Sequence, residues 1–351
     1  LLNFLMFKNT IIHYLYYFFY KLIILEIILR KKFFYKVDLK YVGHLNGFGF
    51  GDHVSFCVNI KNKIKKNNKI FCFSQLQYEV ATFFYDKKYV IKSILPIPKF
   101  LNESRLGFKF LQNDINFKPS KLTSPHGKNY KLTLNYGTQN QIKFILKKLK
   151  KFKISKKLSL VLKKKVIVIG IKNFSLENKV NKDINFQVRQ TRDLNKVYKL
   201  INYIKNKDNK IIIMGKIRDN FIKIIKSKNI IDNKKIFLFK DLSKKYSIAD
   251  QVYLAEKSTG FVGNGYGAMV FFDILKKKTI LFDYVWVKHN NLFHKNRLCL
   301  YKKVVNVVTK NTQRFMHTKF YSPKYYKLIE NNYDEIVFVF NKIFKNLNEK
   351  I

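Results

Sequence analysis

The chain has 351 residues, and its 70 Lys and Arg against 22 Asp and Glu give a formal net charge of +48. Apolar residues make up 47% of it, which is enough to build a core and excludes a wholly disordered basic chain. The 13 Gly and 5 Pro exclude collagen-like repeats, and the three cysteines (Cys57, Cys72 and Cys299) form neither a disulfide framework nor a Cys-x-x-Cys metal site.

The positive charge is carried almost entirely by lysine. Only seven of the 70 basic residues are Arg, whereas proteins that read bases or phosphates through bidentate contacts usually keep more arginine. We therefore expect most lysines to lie on a solvated surface, and nucleic acid is not the expected partner. A non-catalytic basic protein that binds nucleic acid or anionic lipid remains the alternative.

Residues 1–34 contain the apolar run TIIHYLYYFFYKLIILEIIL at 10–29, followed by three basic residues. The run has the length of a bilayer span, but Lys21 and Glu26 offset its apolar gain. We interpret residues 1–34 as a membrane-associating helix, monotopic or marginally spanning. It would place the chain at the cytoplasmic face of the inner membrane, peripheral or N-terminally anchored. The alternative is a buried helix docked on the domain that follows.

Residues 35–160 show the pattern of a Rossmann-like domain. KVDLKYVGHL predicts a strand, which runs into a glycine-rich turn and the helical pattern VSFCVNIKNKIKK. KIFCFS predicts a second strand, and YEVATFFYD a second helix. The first turn brings together a carboxylate and two imidazoles, the groups that a general base requires. The candidate bases are His44, Asp52 and His53; the alternative is that they are ordinary turn and capping residues.

A lysine-rich segment follows. Residues 115–176 contain sixteen Lys and no acidic residue, and Ile142, Ile145 and Leu149 recur at helical spacing. This pattern predicts a basic amphipathic helix. One interpretation is a core-facing stripe with a solvated lysine face, and the other is a second contact with anionic lipid head groups.

Residues 161–320 predict a second and clearer α/β domain. Strands are indicated by KKKVIVIGIK, KIIIMGK, KKIFLF, GFVGN and TILFDY, with helical patterns between them. Thr191 is the expected N-cap of the helix that precedes KIIIMGK, with Asp193 in its first turn. Residues 321–351 are interpreted as C-terminal helices that pack back across the domains, and Asn332 with Glu335 forms a predicted capping box.

The strongest candidate site lies between the strand GFVGN and the next helix. Main-chain N–H groups and a positive helix end suit a diphosphate there, and glycine lets an anion approach the backbone. The alternative is a tight turn that needs glycine for geometry alone. Basic side chains are expected at the same carboxyl edge of the sheet. The candidate binding residues are Arg189, Arg192, Lys216, Gly263, Asn264, Gly265, Tyr266 and Gly267.

The order of these motifs resembles that of GT-B glycosyltransferases of the bacterial surface-polysaccharide type, including heptosyltransferase- and fucosyltransferase-like members. The resemblance lies in INFQVRQTRDLNKVYKLINYI with KIIIMGK, in FVGNGYGAMVFFDILKKKTILFD, in KYYKLIENNYDEIVFVFNKIF and in YVGHLNGFGFGDHV. It covers about residues 38–350 and implies an α/β fold with two Rossmann-like, doubly wound domains facing a cleft. Gln187 departs from the family pattern, because many relatives have His at this position.

The resemblance implies metal-independent transfer of a sugar from a nucleotide-diphosphate sugar to a glycan or lipid-linked acceptor, with no cofactor beyond the donor substrate. The cations and the glycine-rich turn would stabilise the leaving diphosphate, while His44, Asp52 or His53 would deprotonate the acceptor. The sequence has no DxD or HExxH pattern, and none of its motifs predicts a metal site. A sugar epimerase on the same architecture is a second enzymatic alternative.

Overall fold

The computed structural model describes single positions between 14 and 29 and residues 38–42, 50–59, 68–72, 75–94, 137–171, 191, 193–207, 209–215, 234–243, 247–264, 267, 269–284, 296–314 and 325–344. The chain divides into two compact units, Leu1–Asn135 and Tyr136–Ile351. The predicted boundaries placed residues 137–160 in the first domain, whereas these residues belong to the second compact unit.

The first unit contains a parallel three-stranded sheet in the order β1-β2-β3. Its strands are β1 (Asp38–Val42), β2 (Asn68–Cys72) and β3 (Val90–Lys92), and its helices are α1 (Phe50–Asn59) and α2 (Gln75–Phe84), with a 3-10 turn at Lys87–Tyr89. Ile70, Val80 and Phe84 are fully buried and form part of its core. Both predicted strand–helix pairs of this half are confirmed.

The second unit contains a six-stranded parallel sheet in the order β6-β5-β4-β7-β8-β9. Its strands are β4 (Val166–Gly170), β5 (Lys210–Met214), β6 (Ile236–Leu238), β7 (Gly260–Gly263), β8 (Lys278–Tyr284) and β9 (Arg297–Tyr301). Every residue of β4 and β7 is buried. This explains their continuous apolar sequences, because a parallel sheet is covered on both faces.

Seven helices of the second unit are described. They are α3 (Gln139–Leu149), α4 (Lys156–Val161), α5 (Leu194–Asn206), α6 (Phe239–Leu242), α7 (Ile248–Lys257), α8 (Met269–Ile274) and α9 (Tyr333–Phe344). Helix α5 buries Val197, Leu200 and Ile201 against the sheet. Helix α9 packs on α5 and β8 through Ile336 and Phe340. The predicted helix over NFIKIIKSK lies outside the described residues.

The C-terminal part departs from the prediction in one respect. Residues 321–351 were expected to be helical, but Tyr326–Ile329 forms strand β12, which pairs with β10 (Lys303–Asn306) in an antiparallel sheet completed by β11 (Thr312–Arg314). The alternating exposure along β12 explains the difference, because a period of two is that of a strand. The predicted capping box of α9 is confirmed, since Glu335 N donates to Asn332 Oδ1 at 2.8 Å and Asn332 N donates to Glu335 Oε2 at 3.0 Å.

In the N-terminal segment, the described single positions are helical, and Glu26 is buried among them. Its carboxylate accepts hydrogen bonds from Ser93 Oγ at 2.7 Å and Ile94 N at 2.9 Å, just after β3. Glu26 is therefore bonded, within the first unit, to the segment that follows β3, as the docked-helix alternative requires. Within the described part of the chain, no helix is both long enough and apolar enough to cross a membrane. The membrane-associating helix expected over 1–34 is not supported by these residues.

Candidate functional site

The candidate site is the carboxyl edge of the six-stranded sheet, where the strand order reverses. From β4 the chain builds outward through β5 to β6, then returns to the other side of β4 and continues through β7 and β8 to β9. The carboxyl ends of β4 and β7 are therefore neighbours, with Gly170 paired to Gly263. In open α/β sheets, ligands bind in the crevice outside such a reversal, since the flanking connections leave on opposite faces.

Glycines allow the main chain to pack tightly at this edge. A Cβ on Gly263 would lie 2.1 Å from the carbonyl oxygen of Gly170, and a Cβ on Gly170 would lie 2.2 Å from the Phe261 ring. Gly215, directly after β5, has φ +131°, and a Cβ there would lie 1.9 Å from the Ile171 carbonyl oxygen. Glycine at 263 is thus required by the seam between β4 and β7 itself. For Gly263, the alternative that glycine is needed for geometry therefore holds, independently of any ligand bound by the turn that follows.

A hydrogen-bonded chain of buried side chains starts at the beginning of this turn. Asn264 N donates to the Gly170 carbonyl at 3.1 Å, and its side-chain amide donates to Thr191 Oγ1 at 3.1 Å. Thr191 Oγ1 in turn donates to Asp283 Oδ2 at 2.9 Å. Asn264 and Thr191 are 1% and 0% exposed. These hydrogen bonds connect the residue after β7, the segment before α5 and the end of β8 in one polar network.

Asp283 belongs to a buried cluster of two carboxylates and two ammonium groups. Lys196 Nζ lies 2.8 Å from Asp283 Oδ2 and 2.9 Å from Glu330 Oε2, and Lys302 Nζ lies 3.1 Å from Glu330 Oε1. Burial, with help from the nearby Glu330 carboxylate, raises the pKa of Asp283, while both lysines act in the opposite direction. Burial lowers the pKa of Lys302. The cluster balances two positive charges against two negative ones, which makes its burial tolerable.

The backbone at Asp283 is held in an unusual conformation. Its φ is +52°, in the left-handed region that Asp tolerates better than most residues. Asp283 N donates to Asn331 Oδ1 at 2.6 Å, and Asn331 N donates to Asp283 Oδ1 at 2.8 Å. This reciprocal pair fixes the end of β8 to the residue that precedes the capping box of α9.

The predicted binding residues are only partly described. Gly263, Asn264 and Gly267 lie at the predicted edge: Gly263 is the last residue of β7, and the other two lie between β7 and α8. The other five, Arg189, Arg192, Lys216, Gly265 and Tyr266, lie outside the described residues. Arg192 stands in the sequence between Thr191 and Asp193, which are both at this edge, and Lys216 directly follows Gly215. Helix α8 has only six residues, so the helix end contributes less to anion binding than the sequence pattern indicated.

The expected N-cap of α5 was wrong. Asp193 is the N-cap, because its carboxylate accepts from Asn195 N at 2.9 Å and Lys196 N at 3.3 Å. Thr191 lies two residues earlier and points into the buried network instead. An acidic N-cap is stabilising at the positive end of a helix, which explains why Asp193 takes this position.

The three candidate bases in the first unit have different positions. His44 lies outside the described residues, and Asp52 is described only as part of the backbone of α1. His53 is 2% exposed, and its Nε2 lies 3.0 Å from the Gln77 carbonyl oxygen. Burial lowers the pKa of His53 to about 4. His53 therefore joins α1 to α2 inside the core, where an acceptor hydroxyl has no access to it.

Sequence reasoning missed the most extensively bonded side chains of the edge: Thr191 as a network residue, Lys196, Asp283, Lys302 and Glu330. One signal was present, since Asp283 is an acidic residue at the end of an apolar strand in a chain where acidic residues are scarce. Among the described residues, no three His, Cys, Asp or Glu side chains are grouped so as to hold a metal ion.

No protein-family model matches the chain, and no curated protein matches it. Among solved structures, the ADP-heptose lipopolysaccharide heptosyltransferase II of Escherichia coli is similar at 11% identity and a TM-score of 0.41, over 74% of this chain and 89% of that chain. The E. coli heptosyltransferase WaaC with an ADP-fluoroheptose is similar at 9% identity and a TM-score of 0.36, over 74% and 92%. The UDP-GlcNAc 2-epimerase of Methanocaldococcus jannaschii is similar at 13% identity and a TM-score of 0.33, over 72% and 71%.

These solved structures are of the kinds that the sequence resemblance and its epimerase alternative named. The chain has an α/β fold with a parallel sheet in the second unit, and the strand order of this sheet reverses at a glycine-lined edge.

Proposed function

We propose that the chain is a glycosyltransferase of the GT-B type, which transfers a sugar from a nucleotide-diphosphate sugar to a glycan or lipid-linked acceptor in surface polysaccharide biosynthesis. One observation carries the proposal: the sheet of the second unit reverses its strand order between β4 and β7, and both strands end in glycine at that point. This is the place where doubly wound sheets bind nucleotides.

The diphosphate binds to main-chain amides of the turn that follows Asn264, within residues 265–267. Asn264 supports this role, because its side chain is held by Thr191 and its own amide already bonds to Gly170. The turn is thus fixed at its start before any ligand arrives, so that less conformational freedom is lost on binding. Arg189, Arg192 and Lys216 supply the positive charge that a metal ion supplies elsewhere.

In the transfer step, the acceptor hydroxyl oxygen forms a bond to the anomeric carbon of the sugar. The bond from that carbon to the diphosphate breaks, and its electron pair leaves with the nucleoside diphosphate. The hydroxyl proton passes to a general base. His44 and Asp52 remain the proposed bases, whereas the buried position of His53 assigns it to the core of the first unit.

The first experiment is a thermal-shift screen of the full chain against UDP, GDP, ADP and CMP compounds. A ligand that binds the native state raises the melting temperature, and we expect one nucleoside diphosphate to do so. The matching sugar nucleotide is then incubated with candidate acceptors. Sugar on the acceptor with release of the diphosphate supports the proposal, and an isomerised sugar nucleotide would indicate the epimerase instead.

Arg189→Ala tests the assignment of charge to the leaving group. We expect turnover to fall by about 100-fold, the usual effect of removing one donor that stabilises developing negative charge. Arg314→Ala is the matched control, because Arg314 is exposed on the short strand β11 and should leave turnover unchanged. Equal turnover of both variants with the true donor would remove Arg189 from the site.

A further inference from the structure

One lysine-rich surface is not used by the proposed reaction. Residues 139–165 form α3, α4 and the connection into β4, and contain eleven Lys, no Arg and no acidic residue. We call this the α3–α4 basic surface. Ten of its lysines are exposed: Lys143, Lys147, Lys150, Lys151, Lys153, Lys156, Lys157, Lys163, Lys164 and Lys165. Exposed positive charge therefore recurs along the whole of this segment.

The underlying helices hold these lysines on a fixed support. Lys143, Lys147 and Lys150 follow one face of α3, while Ile145 and Leu149 on the opposite face are buried. A complete capping box of Thr138 and Gln141 stabilises the start of α3. At the start of α4, Ser155 N donates to Asp250 Oδ1 of α7 at 3.1 Å, and its hydroxyl donates to the Leu242 carbonyl oxygen of α6.

The surface also exposes apolar side chains among the lysines. Leu160 is 60% exposed and lies one helical turn from Lys156 and Lys157, while Phe152 is 40% exposed in the connection between the two helices. Exposed apolar groups flanked by lysine are the combination found where proteins lie on a lipid surface. The basic groups meet lipid phosphates, and the apolar groups reach the acyl boundary.

The end of this surface that adjoins the six-stranded sheet lies at the opposite end of β4 from the candidate site. Lys163, Lys164 and Lys165 directly precede Val166, the first residue of β4, whereas the candidate site lies beyond Gly170 at its last. A flat partner bound to the lysines would therefore leave the carboxyl edge of β4 uncovered.

We propose that the α3–α4 basic surface docks this protein onto an anionic phospholipid bilayer. Charge complementarity favours an anionic partner, and two features favour lipid over nucleic acid. The surface has no Arg, the residue that reads bases and phosphates through paired hydrogen bonds. It also exposes Leu160, an apolar side chain that would find no apolar surface on the charged backbone of a nucleic acid. The proposal does not depend on the transferase activity.

The test measures how the full chain partitions onto two kinds of vesicle. One is phosphatidylcholine alone, and the other contains about 30 mol% phosphatidylglycerol, which gives the bilayer a negative surface potential. The difference between the two isolates the charge-dependent part. The variant replaces Lys147, Lys150, Lys151, Lys156 and Lys157 with Gln. The control replaces five exposed lysines from other places, namely Lys87, Lys88, Lys240, Lys310 and Lys327. Both variants lose the same net charge.

We expect binding to anionic vesicles to weaken by about 100-fold in the α3–α4 variant and by less than about tenfold in the control, because each lysine at a bilayer surface contributes severalfold to binding. Equal losses in the two variants would mean that net charge alone attracts the protein, and would overturn the proposal. Unfolding curves of both variants show whether either is destabilised.

A second variant separates lipid from nucleic acid. Leu160→Ser should weaken anionic-vesicle binding by about fivefold, since apolar contact with the acyl boundary is lost. Val308→Ser is its control, because Val308 is 74% exposed in a turn outside the surface. If Leu160→Ser has no effect, and the five-lysine variant loses duplex DNA binding but not vesicle binding, the surface binds nucleic acid and the proposal is wrong.

Discussion

Thr191 shows how one hydroxyl group joins the candidate site to the buried ion cluster. It donates to Asp283 and accepts from Asn264. Thr191→Val removes both bonds at nearly constant volume, so we expect a loss of about 1–3 kcal/mol in the free energy of unfolding. We also expect weaker binding of the nucleoside diphosphate, because Asn264 is no longer held. Urea unfolding and titration calorimetry measure the two effects.

Thr191→Ser is the matched control, because it keeps the hydroxyl and removes only a methyl group. It should retain nucleotide affinity close to that of the original chain. If Ser weakens binding as much as Val, the methyl contact rather than the hydrogen bonds matters. If neither variant changes affinity, the network does not position the turn.

His53 gives a prediction for the dependence of stability on pH. Its pKa is lowered from an ordinary 6.5 to about 4 by burial. Between these values the unfolded chain binds a proton and the folded chain does not, so stability falls as the pH falls from 6.5 towards 4. The contribution lost is up to about 3 kcal/mol, since one pKa unit corresponds to about 1.4 kcal/mol.

His53→Gln removes this titration and keeps a donor for the Gln77 carbonyl group. The difference in unfolding free energy between the two chains should be constant above pH 7.5 and change in favour of the variant as the pH falls below 6.5. Urea unfolding at several pH values measures it. Parallel curves down to pH 4 would show that His53 can be protonated in the folded state.

For single residues, the sequence predicts the position in the fold better than the contacts that a side chain makes. The glycines and Asn264 could be placed at the edge, because they follow an apolar strand directly. Thr191 and Asp283 are 92 residues apart, and no local pattern reveals that they bond. His53 looked like a base because it stands beside a glycine-rich turn, but the packing of α1 against α2 decides its burial.

Among the elements, the seam between β4 and β7 is the one that the candidate site depends on. Gly170→Ala places a methyl group against the Phe261 ring, whereas Gly263→Ala places one against the Gly170 carbonyl oxygen. A smaller side chain at position 261 can relieve the first clash. The second clash is with the main chain of a hydrogen-bonded strand, which cannot move without breaking the strand pairing. We expect Gly170→Ala to cost about 1–3 kcal/mol by overpacking and Gly263→Ala to cost more.

A double variant distinguishes the two cases. Adding Phe261→Leu to Gly170→Ala should recover stability relative to Gly170→Ala alone, while adding it to Gly263→Ala should lower stability further. Chemical unfolding of six chains gives the two couplings: the original chain, Phe261→Leu, the two glycine variants and the two double variants. Recovery in the Gly263 series would mean that the seam opens easily, which would contradict its role as a fixed edge.

The elements of the second unit differ in how well they could be predicted. Strands β4, β5 and β7 were clear, because burial on both faces gives continuous apolar runs. Strands β10 to β12 were not anticipated, since they are short and largely exposed, and their pairing depends on contacts outside each segment. The capping box of α9 was predictable because both partners lie within one helical turn.

For the whole molecule, the distribution of charge is as informative as its sum. Lys196 and Lys302 are buried beside the buried Asp283 and the partly buried Glu330, and Arg297 Nη1 is buried 2.9 Å from Asp273 Oδ2. These three acidic residues thus neutralise buried cations. Much of the remaining lysine excess lies on surfaces such as that of α3 and α4, and the net charge of +48 alone could not have revealed this division.

The measurement that bears most directly on the nucleotide site is hydrogen exchange of the full chain, followed by mass spectrometry, with and without the nucleoside diphosphate that raises its melting temperature. Bound phosphate should slow exchange at residues 265–268 by about tenfold or more, because main-chain N–H groups of that turn become donors to the ligand. Peptides from α3 should exchange at the same rate in both states. Protection confined to other segments, with 265–268 unchanged at saturating ligand, would contradict the account.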